Sequence, residues 1–294
     1  MYIGGGTQPQ RSFIEYFKKR FRRLLVPYFT FEIVNLIIWI VKCLLEHQPL
    51  PGIDCLISII ICVNNSYSGL YGRLWFLPCI FVADIYVWVI LHFFRKKQFA
   101  LILSTLVLFA ASFVTSKIIK ARLPFTLDTA LFGAAFIMLG FLFYETIDIL
   151  IKKGNDACKI ILAIGMLTYL VYSVRYTPVS VLMYINSYGE YTVSICSAIS
   201  GSIAYIILAS YMYSTLRKWS PVKRLVLWYG NNSLATFPVH LTIKMFILWY
   251  VPLLRPWYMM FPSMLFLSIP IVNFITRYLP FMLGKKYTDL MAGS

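Results

Sequence analysis

Eight long apolar segments dominate this sequence, and short stretches that carry most of its charge separate them. A helix needs roughly 20 apolar residues to cross the hydrocarbon core of a bilayer. The chain is 60% hydrophobic and only 13% charged, whereas about a quarter of the residues of a soluble domain are charged. The sequence therefore predicts an all-α, polytopic transmembrane helix bundle with about eight spans. The predicted spans are 25–45, 74–94, 99–115, 127–144, 158–174, 191–213, 228–251 and 257–279.

Segment 53–63, IDCLISIIICV, is apolar but too short to span. Runs of 10 to 14 apolar residues are typical of buried, re-entrant or interfacial pieces. We therefore predict a re-entrant or interfacial segment before the span 74–94. No repeat of 20–50 residues stands out, so residues 1–294 are predicted to form a single membrane domain.

The basic residues predict the orientation of the chain, because cytoplasmic loops carry an excess of Lys and Arg. With the N-terminus inside, 19 basic residues fall on the cytoplasmic side and six on the outer side. Both termini are therefore predicted to be cytoplasmic. The net charge of +16 does not indicate nucleic-acid binding, because the charges lie in short clusters between apolar runs. The predicted partner of these clusters is the lipid bilayer.

The sequence excludes several other chemistries. It contains no phosphate-binding glycine loop, no H-E-x-x-H motif and no G-x-S-x-G motif. The three histidines are far apart and no C-x-x-C pair occurs, so neither a metal site nor a disulfide framework is predicted.

Several stretches together resemble one family, the integral-membrane acyltransferase-3 family, in the branch of fucose 4-O-acetylases and polysaccharide O-acetyltransferases. The stretches are KRFRRLLVPY (19–28), GRLWFLPCIFVAD (72–84), LPFTLDTALFGAAFIMLGFLFYE (123–145), LMYINSYGEYTVSICSAISG (182–201) and WYGNNSLATFPVHL (228–241). The resemblance implies transfer of an acyl group, usually acetyl, from acyl-CoA on the cytoplasmic side to a hydroxyl of a cell-surface carbohydrate. It also implies a multi-pass protein of the inner or plasma membrane, working beside other membrane proteins of glycan biosynthesis.

The resemblance also points to a difference. Family members have about ten core helices, and their first helix carries a basic residue and a histidine that is proposed to act in catalysis. Here the chain begins just before the basic R-x-x-R loop that follows the second helix. We therefore expect that this chain lacks the family's first two helices, and that the first-helix histidine has no counterpart in it.

Arg20 and Arg23 match the family's R-x-x-R motif, which implies a role in binding the donor. Positions i and i+3 share a face of an α-helix, and guanidinium groups bind phosphates through paired, charge-assisted hydrogen bonds. CoA carries several phosphates. The alternative is a positive-inside anchor held by anionic lipid, which is the role assigned to Lys18, Lys19 and Arg22.

Ionisable residues inside spans are functional candidates because burying them in the bilayer is costly. His240 and Lys244 share a helix face, and a histidine has the pKa range to relay a proton from a sugar hydroxyl. His240 is therefore the candidate catalytic residue, with Lys244 and Asp84 as candidate cavity-lining residues. The alternative for His240 is a hydrogen bond within the bundle. The alternative for Asp84 and for Glu32, another intramembrane carboxylate, is a structural ion pair.

Three more residues are candidates for lining the acceptor site or the cavity: Trp75, Asn186 and Asn232. Trp75 lies in the family-like LWFL stretch, although aromatic residues also form belts at the membrane interface. Asparagines near span ends can instead form hydrogen bonds between helices.

The sequence leaves three functions open. The chain is an O-acyltransferase, a non-catalytic remnant of such an enzyme, or a multi-pass glycan transporter or polymerase component.

Overall fold

A computed structural model describes residues 12–62, 74–118, 122–176, 181–216 and 220–285. Within these ranges the chain is helical and contains no β-strand. The helices are α1 (Phe13–Arg20), α2 (Val26–Leu45), α3 (Ile53–Ile60), α4 (Phe76–Phe94), α5 (Gln98–Ile118), α6 (Leu127–Lys153), α7 (Asp156–Tyr176), α8 (Tyr191–Leu216), α9 (Ser220–Asn231), α10 (Ser233–Tyr250) and α11 (Trp257–Tyr278).

Seven helical stretches in the described part of the chain are long and apolar enough to cross a membrane. The prediction of an all-α, polytopic helix bundle is confirmed. The seven stretches are Phe13–Leu45, Phe76–Phe94, Gln98–Ile118, Pro124–Lys153, Asp156–Tyr176, Tyr191–Tyr213 and Trp257–Tyr278. The orientation of the termini stays a prediction.

The first helical stretch is continuous over 33 residues, Phe13–Leu45, but its hydrogen bonding changes in the middle. Residues Phe21–Leu25, FRRLL, form one π-helical turn between α1 and α2. A π-helix is closed by i→i+5 hydrogen bonds and is frequent at functional sites. We refer to Phe21–Leu25 as the π-turn.

The predicted span 228–251 is not one helix, because Asn232 divides it into α9 and α10. The Asn232 side-chain amide donates to the carbonyl of Trp228 at 2.9 Å, and the Asn232 carbonyl accepts from Ala235 N at 3.0 Å. Asn232 therefore ends α9 and begins α10. The 18-residue α10 contains Pro238, His240 and Lys244 and is not among the seven stretches that are apolar enough to span.

Helix α3 coincides with the segment predicted to be re-entrant or interfacial. Its eight residues cover about 12 Å at 1.5 Å per residue, too short to span. The hydroxyl of Tyr28 donates to the carbonyl of Ile59 at 3.2 Å, which ties α3 to α2. A re-entrant position of α3 in the membrane stays a prediction.

The described residues form two compact units. The terminal unit contains 12–85, 123–127 and 227–285, and the central unit contains 86–122 and 128–226. The assignment of residues 1–294 to one domain stays a prediction.

Each unit has its own packing. In the terminal unit, Thr30 Oγ1 donates to the carbonyl of Met282 at 3.0 Å, which holds the 3₁₀ turn Pro280–Leu283 against α2. In the central unit, Phe132 packs on Tyr188 with ring centroids 4.2 Å apart and ring planes tilted by 31°, and Tyr191 packs beside them.

Candidate functional site

The terminal unit contains a cavity of about 670 Å³ surrounded by basic side chains. It lies where the π-turn, the α9–α10 junction and the end of the 3₁₀ turn after α11 meet. Five of the lining residues are Lys or Arg and one is acidic, so the cavity has a strong positive potential. The lining residues are Glu15, Lys18, Lys19, Arg22, Arg23, Asn231, Asn232, Leu234, Ala235, Leu283, Gly284 and Lys285.

The two arginines at the cavity are neighbours in sequence, Arg22 and Arg23. The R-x-x-R motif and α-helical spacing predict a pair of Arg20 and Arg23, but the π-turn begins directly after Arg20. The wider turn changes the spacing, so Arg23 lines the cavity and Arg20 does not. The donor-binding role of Arg20 and Arg23 stays a prediction.

Arg20 is held in a separate cluster of the same unit. Its Nε lies 3.1 Å from Oδ2 of Asp84 and 3.2 Å from the hydroxyl of Tyr16. The Arg20 and Asp84 side chains are only 16% and 7% exposed. Asp84 was predicted to line a cavity, and the structure places it in this ion pair, which was the structural alternative.

Gly284 forms a wall of the cavity by direct backbone contact with the π-turn. It has a φ of +64°, and a Cβ added there would lie 1.8 Å from the carbonyl oxygen of Arg22. Only glycine combines this backbone conformation with such a close approach. Lys285, the residue after Gly284, lines the same cavity as Arg22.

His240 lies on α10, five residues beyond the cavity-lining Ala235, about 7.5 Å further along the helix axis. Its Nδ1 donates a hydrogen bond to the carbonyl oxygen of Thr236 at 3.1 Å. That bond leaves Nε2 as the hydrogen-bond acceptor. Lys244 follows one turn later on the same helix and is half-buried.

An aromatic path joins Trp75 to His240 within the terminal unit. Trp75 packs on Phe76 with ring centroids 6.1 Å apart, Phe76 on Phe237 at 5.6 Å, and Phe237 on His240 at 5.5 Å. Trp75 and His240, far apart in sequence, thus belong to one cluster.

Two buried polar residues of α2 lie deeper in the same unit. Glu32 accepts a hydrogen bond from the backbone N–H of Leu74 at 3.0 Å, and Asn35 accepts from the hydroxyl of Thr242 at 2.9 Å. Both side chains are almost fully buried, and the second bond links α2 to α10. Glu32 therefore has a structural contact with the backbone of Leu74, and its ion pair with a basic residue stays a prediction.

Cys62, in the turn after α3, is a buried thiol near these groups. Burial raises its pKa to about 12. The thiol therefore stays protonated at neutral pH and is a poor nucleophile.

Asn186 lies in the central unit, in the loop before α8. It lines a smaller cavity of about 230 Å³ together with Lys117 and Glu190. Asn186 thus belongs to a different unit from the other predicted site residues.

The sequence alone does not place Lys18, Lys19, Arg22 and Lys285 at the basic cavity. Its pattern predicts membrane anchoring for the first three and no site for Lys285. The density of charge around Arg22 was a usable signal. The π-turn and the close approach of Gly284 leave no such signal in the sequence.

A family comparison adds an independent finding. The acyltransferase-domain model named Acyl_transf_3 matches residues 2–277. No curated protein and no solved structure matches the chain.

Proposed function

Because the chain belongs to the acyltransferase-3 family and is a multi-pass membrane acyltransferase, we propose that it binds acyl-CoA in the basic cavity of the terminal unit. The acyl group, acetyl in the simplest case, then passes to a hydroxyl of a cell-surface carbohydrate. The observation that carries this proposal is the convergence of Arg22, Arg23 and Lys285 on one cavity.

The charge of the cavity suits the phosphates of CoA. The lining of the cavity contains five cationic side chains and one carboxylate, that of Glu15. Guanidinium groups offer paired donors to phosphate oxygens, and lysines add point charges. An anionic donor is therefore attracted and oriented at this cavity, whereas a neutral solute is not.

The size and position of the cavity also support the proposal. Its volume of about 670 Å³ lies within the range of roughly 300–1,000 Å³ that is usual for small-molecule sites. By the topology predicted from the basic residues, the π-turn, the start of α10 and the end of α11 are all at cytoplasmic helix ends. Acyl-CoA is available on that side.

In this scheme we assign the role of general base to His240. Its Nε2 takes the proton of the attacking sugar hydroxyl while the hydroxyl oxygen bonds to the thioester carbonyl carbon. The carbon–sulfur bond then breaks, the ester forms, and the CoA thiolate leaves and takes up a proton. The Nδ1 bond to Thr236 holds the ring in the required tautomer.

The direct test is the variant Arg23→Ala, with Lys97→Ala as a matched control. Lys97 lies in the basic turn between α4 and α5 and does not line the cavity. Losing charge-assisted hydrogen bonds worth about 1.5–3 kcal/mol raises the KM for acetyl-CoA at least about tenfold in Arg23→Ala and leaves it unchanged in Lys97→Ala. An unchanged KM in Arg23→Ala would contradict a donor site in this cavity.

Activity itself is tested with purified protein in nanodiscs, radiolabelled acetyl-CoA and glycan acceptors. His240→Gln keeps the size of the side chain and removes the base, so transfer falls steeply while acetyl-CoA binding persists. If the wild-type chain binds acetyl-CoA but transfers nothing, the non-catalytic remnant replaces the enzyme as the best account.

A further inference from the structure

Lys244 is a partly buried cation of the terminal unit, in the second half of α10. Its ammonium group forms no ion pair and no hydrogen bond with any residue in the described part of the chain. Two other cations of this unit differ in this respect. Arg20 is paired with Asp84, and Lys42 is paired with Glu46. An ionisable residue inside a membrane bundle without a counter-charge is a functional candidate.

Lys244 shares a face of α10 with His240, which precedes it by four residues, or about 6 Å along the helix axis. The two groups interact electrostatically. Phe237, one turn before His240, packs on its ring at 5.5 Å. Another face of α10 is bonded to α2, because Thr242 donates to Asn35 at 2.9 Å. The face with His240 and Lys244 is therefore separate from the one that Thr242 uses to hold α10 on α2.

The spacing along α10 matches the length of the donor. Ala235 lines the basic cavity, and Lys244 follows it nine residues later on the same helix, at about 13.5 Å along the axis. The pantetheine arm of CoA has about twelve bonds between its phosphate oxygen and its sulfur, or about 14 Å at the ~3.5 Å per three bonds of an extended chain. A CoA with phosphates at Arg22 and Arg23 can therefore place its thioester beside His240 and Lys244.

The proposed transfer needs a group that stabilises negative charge on the thioester. When the attacking hydroxyl oxygen bonds to the carbonyl carbon, the carbonyl electron pair moves onto its oxygen and forms an oxyanion. Hydrogen-bond donors directed at this oxygen are usually the largest single contribution to catalysis of acyl transfer. A lysine ammonium offers three donors and a full positive charge.

We infer that Lys244 is a further catalytic residue, which donates a hydrogen bond to the thioester carbonyl oxygen and stabilises the oxyanion of the tetrahedral intermediate. The inference rests on the proposed function, because it requires an acyl-CoA thioester at this face of α10. An oxyanion at this place also supplies the counter-charge that the ammonium group lacks among the described residues.

Each proton and electron pair has a place in this step. His240 Nε2 takes the proton of the hydroxyl as the oxyanion forms. The oxyanion then re-forms the carbonyl double bond while the carbon–sulfur electron pair leaves with sulfur. The imidazolium gives its proton to the CoA thiolate. Lys244 keeps all its protons throughout, so it acts as an electrostatic group and not as an acid.

The first test needs no turnover. Isotope-edited infrared spectroscopy measures the carbonyl stretching frequency of acetyl-CoA, labelled with ¹³C at the carbonyl, bound to the full chain in nanodiscs. A hydrogen bond from a cation draws electron density onto the carbonyl oxygen and lowers this frequency. Lys244→Met keeps an unbranched side chain without the charge, so the frequency rises. Equal frequencies in the wild type and in Lys244→Met overturn the inference.

Kinetics give the second test. Lys244→Met lowers kcat for acetyl transfer about 100-fold, the usual effect of removing one oxyanion donor, and leaves the KM for acetyl-CoA and the melting temperature unchanged. Lys244→Arg keeps a charged donor and restores most of kcat. Lys42→Met removes a cation of the same unit that is paired with Glu46, and it leaves kcat unchanged.

A lysine that only extends along the bundle to reach water gives a different result. In that case Lys244→Met retains the kcat of the wild type, and the inference is wrong. The two proposals can also be told apart. Binding of acetyl-CoA without a frequency change in Lys244→Met contradicts the role of Lys244 alone. A chain that does not bind acetyl-CoA contradicts the donor site, and the role of Lys244 fails with it.

Discussion

Arg20 and Asp84 form an ion pair 64 positions apart in sequence, with the Arg20 Nε 3.1 Å from the Asp84 Oδ2. The pair joins α1 to α4 within the terminal unit. Tyr16 completes the cluster, because its hydroxyl accepts from Arg20 and donates to the backbone carbonyl of Asp84. Arg20, the first arginine of the R-x-x-R motif, thus has a structural role in linking α1 to α4.

We expect Asp84→Asn to destabilise the protein by about 3 kcal/mol, since breaking a buried pair leaves an uncompensated charge. Arg20→Gln should cost a similar amount, and the double variant less than the sum of the two. Unfolding in mixed micelles measures all three. Strictly additive losses would mean that the pair carries no coupling energy.

We expect Arg22→Ala to raise the KM for acetyl-CoA as much as Arg23→Ala does, because both side chains line the basic cavity. A pure anchor would behave differently. If Arg22 were only an anchor, Arg22→Ala would change the orientation of the chain in the membrane and leave the KM for acetyl-CoA unchanged. Protease accessibility of the termini measures that orientation. Kinetics and topology mapping on the same variant distinguish the two roles.

Gly284→Ala should weaken acetyl-CoA binding and lower the melting temperature. The added Cβ would collide with the backbone of Arg22, so the segment after α11 must move away from the π-turn. Gly140→Ala is the matched control, because a Cβ there meets nothing within 4 Å and alanine favours a helix. A Gly284→Ala protein with normal stability and binding would show that this wall is dispensable.

Two substitutions of Glu32 distinguish a structural role of its carboxylate from a catalytic role. Glu32→Gln keeps an acceptor for the Leu74 N–H and should leave stability nearly unchanged. Glu32→Leu leaves that buried donor unpaired and should cost about 1–3 kcal/mol. If Glu32→Gln abolished turnover while retaining both stability and acetyl-CoA binding, Glu32 would have to be counted among the catalytic residues.

The apolar segments predict the fold well because a spanning helix needs length and hydropathy, both of which are local properties. The break at Asn232 is less evident, although the run Gly230 to Ser233, GNNS, contains residues typical of turns and caps. The apolar residues on both sides of this run make the whole of 228–251 hydrophobic enough to be predicted as one span.

The candidate site is harder to predict because its geometry depends on tertiary contacts. Arg23, Asn232 and His240 could be selected from motifs, and the structure places all three in the terminal unit. Arg22 could not be separated from the anchoring charges, because α-helical spacing does not apply inside a π-turn. Asn186 was selected from sequence, but only the fold reveals that its amide has no partner among the described residues.

The π-turn adds one residue to an otherwise regular helix, and so it sets the rotational phase between α1 and α2. Each residue of an α-helix turns the chain by about 100°. Without the extra residue, everything before Phe21 would be rotated by roughly that angle relative to α2. Arg20 would then leave Asp84, and the basic side chains of α1 would no longer face the same direction as Arg23. The phase of this one turn thus aligns the charged start of the chain with the helices that follow it.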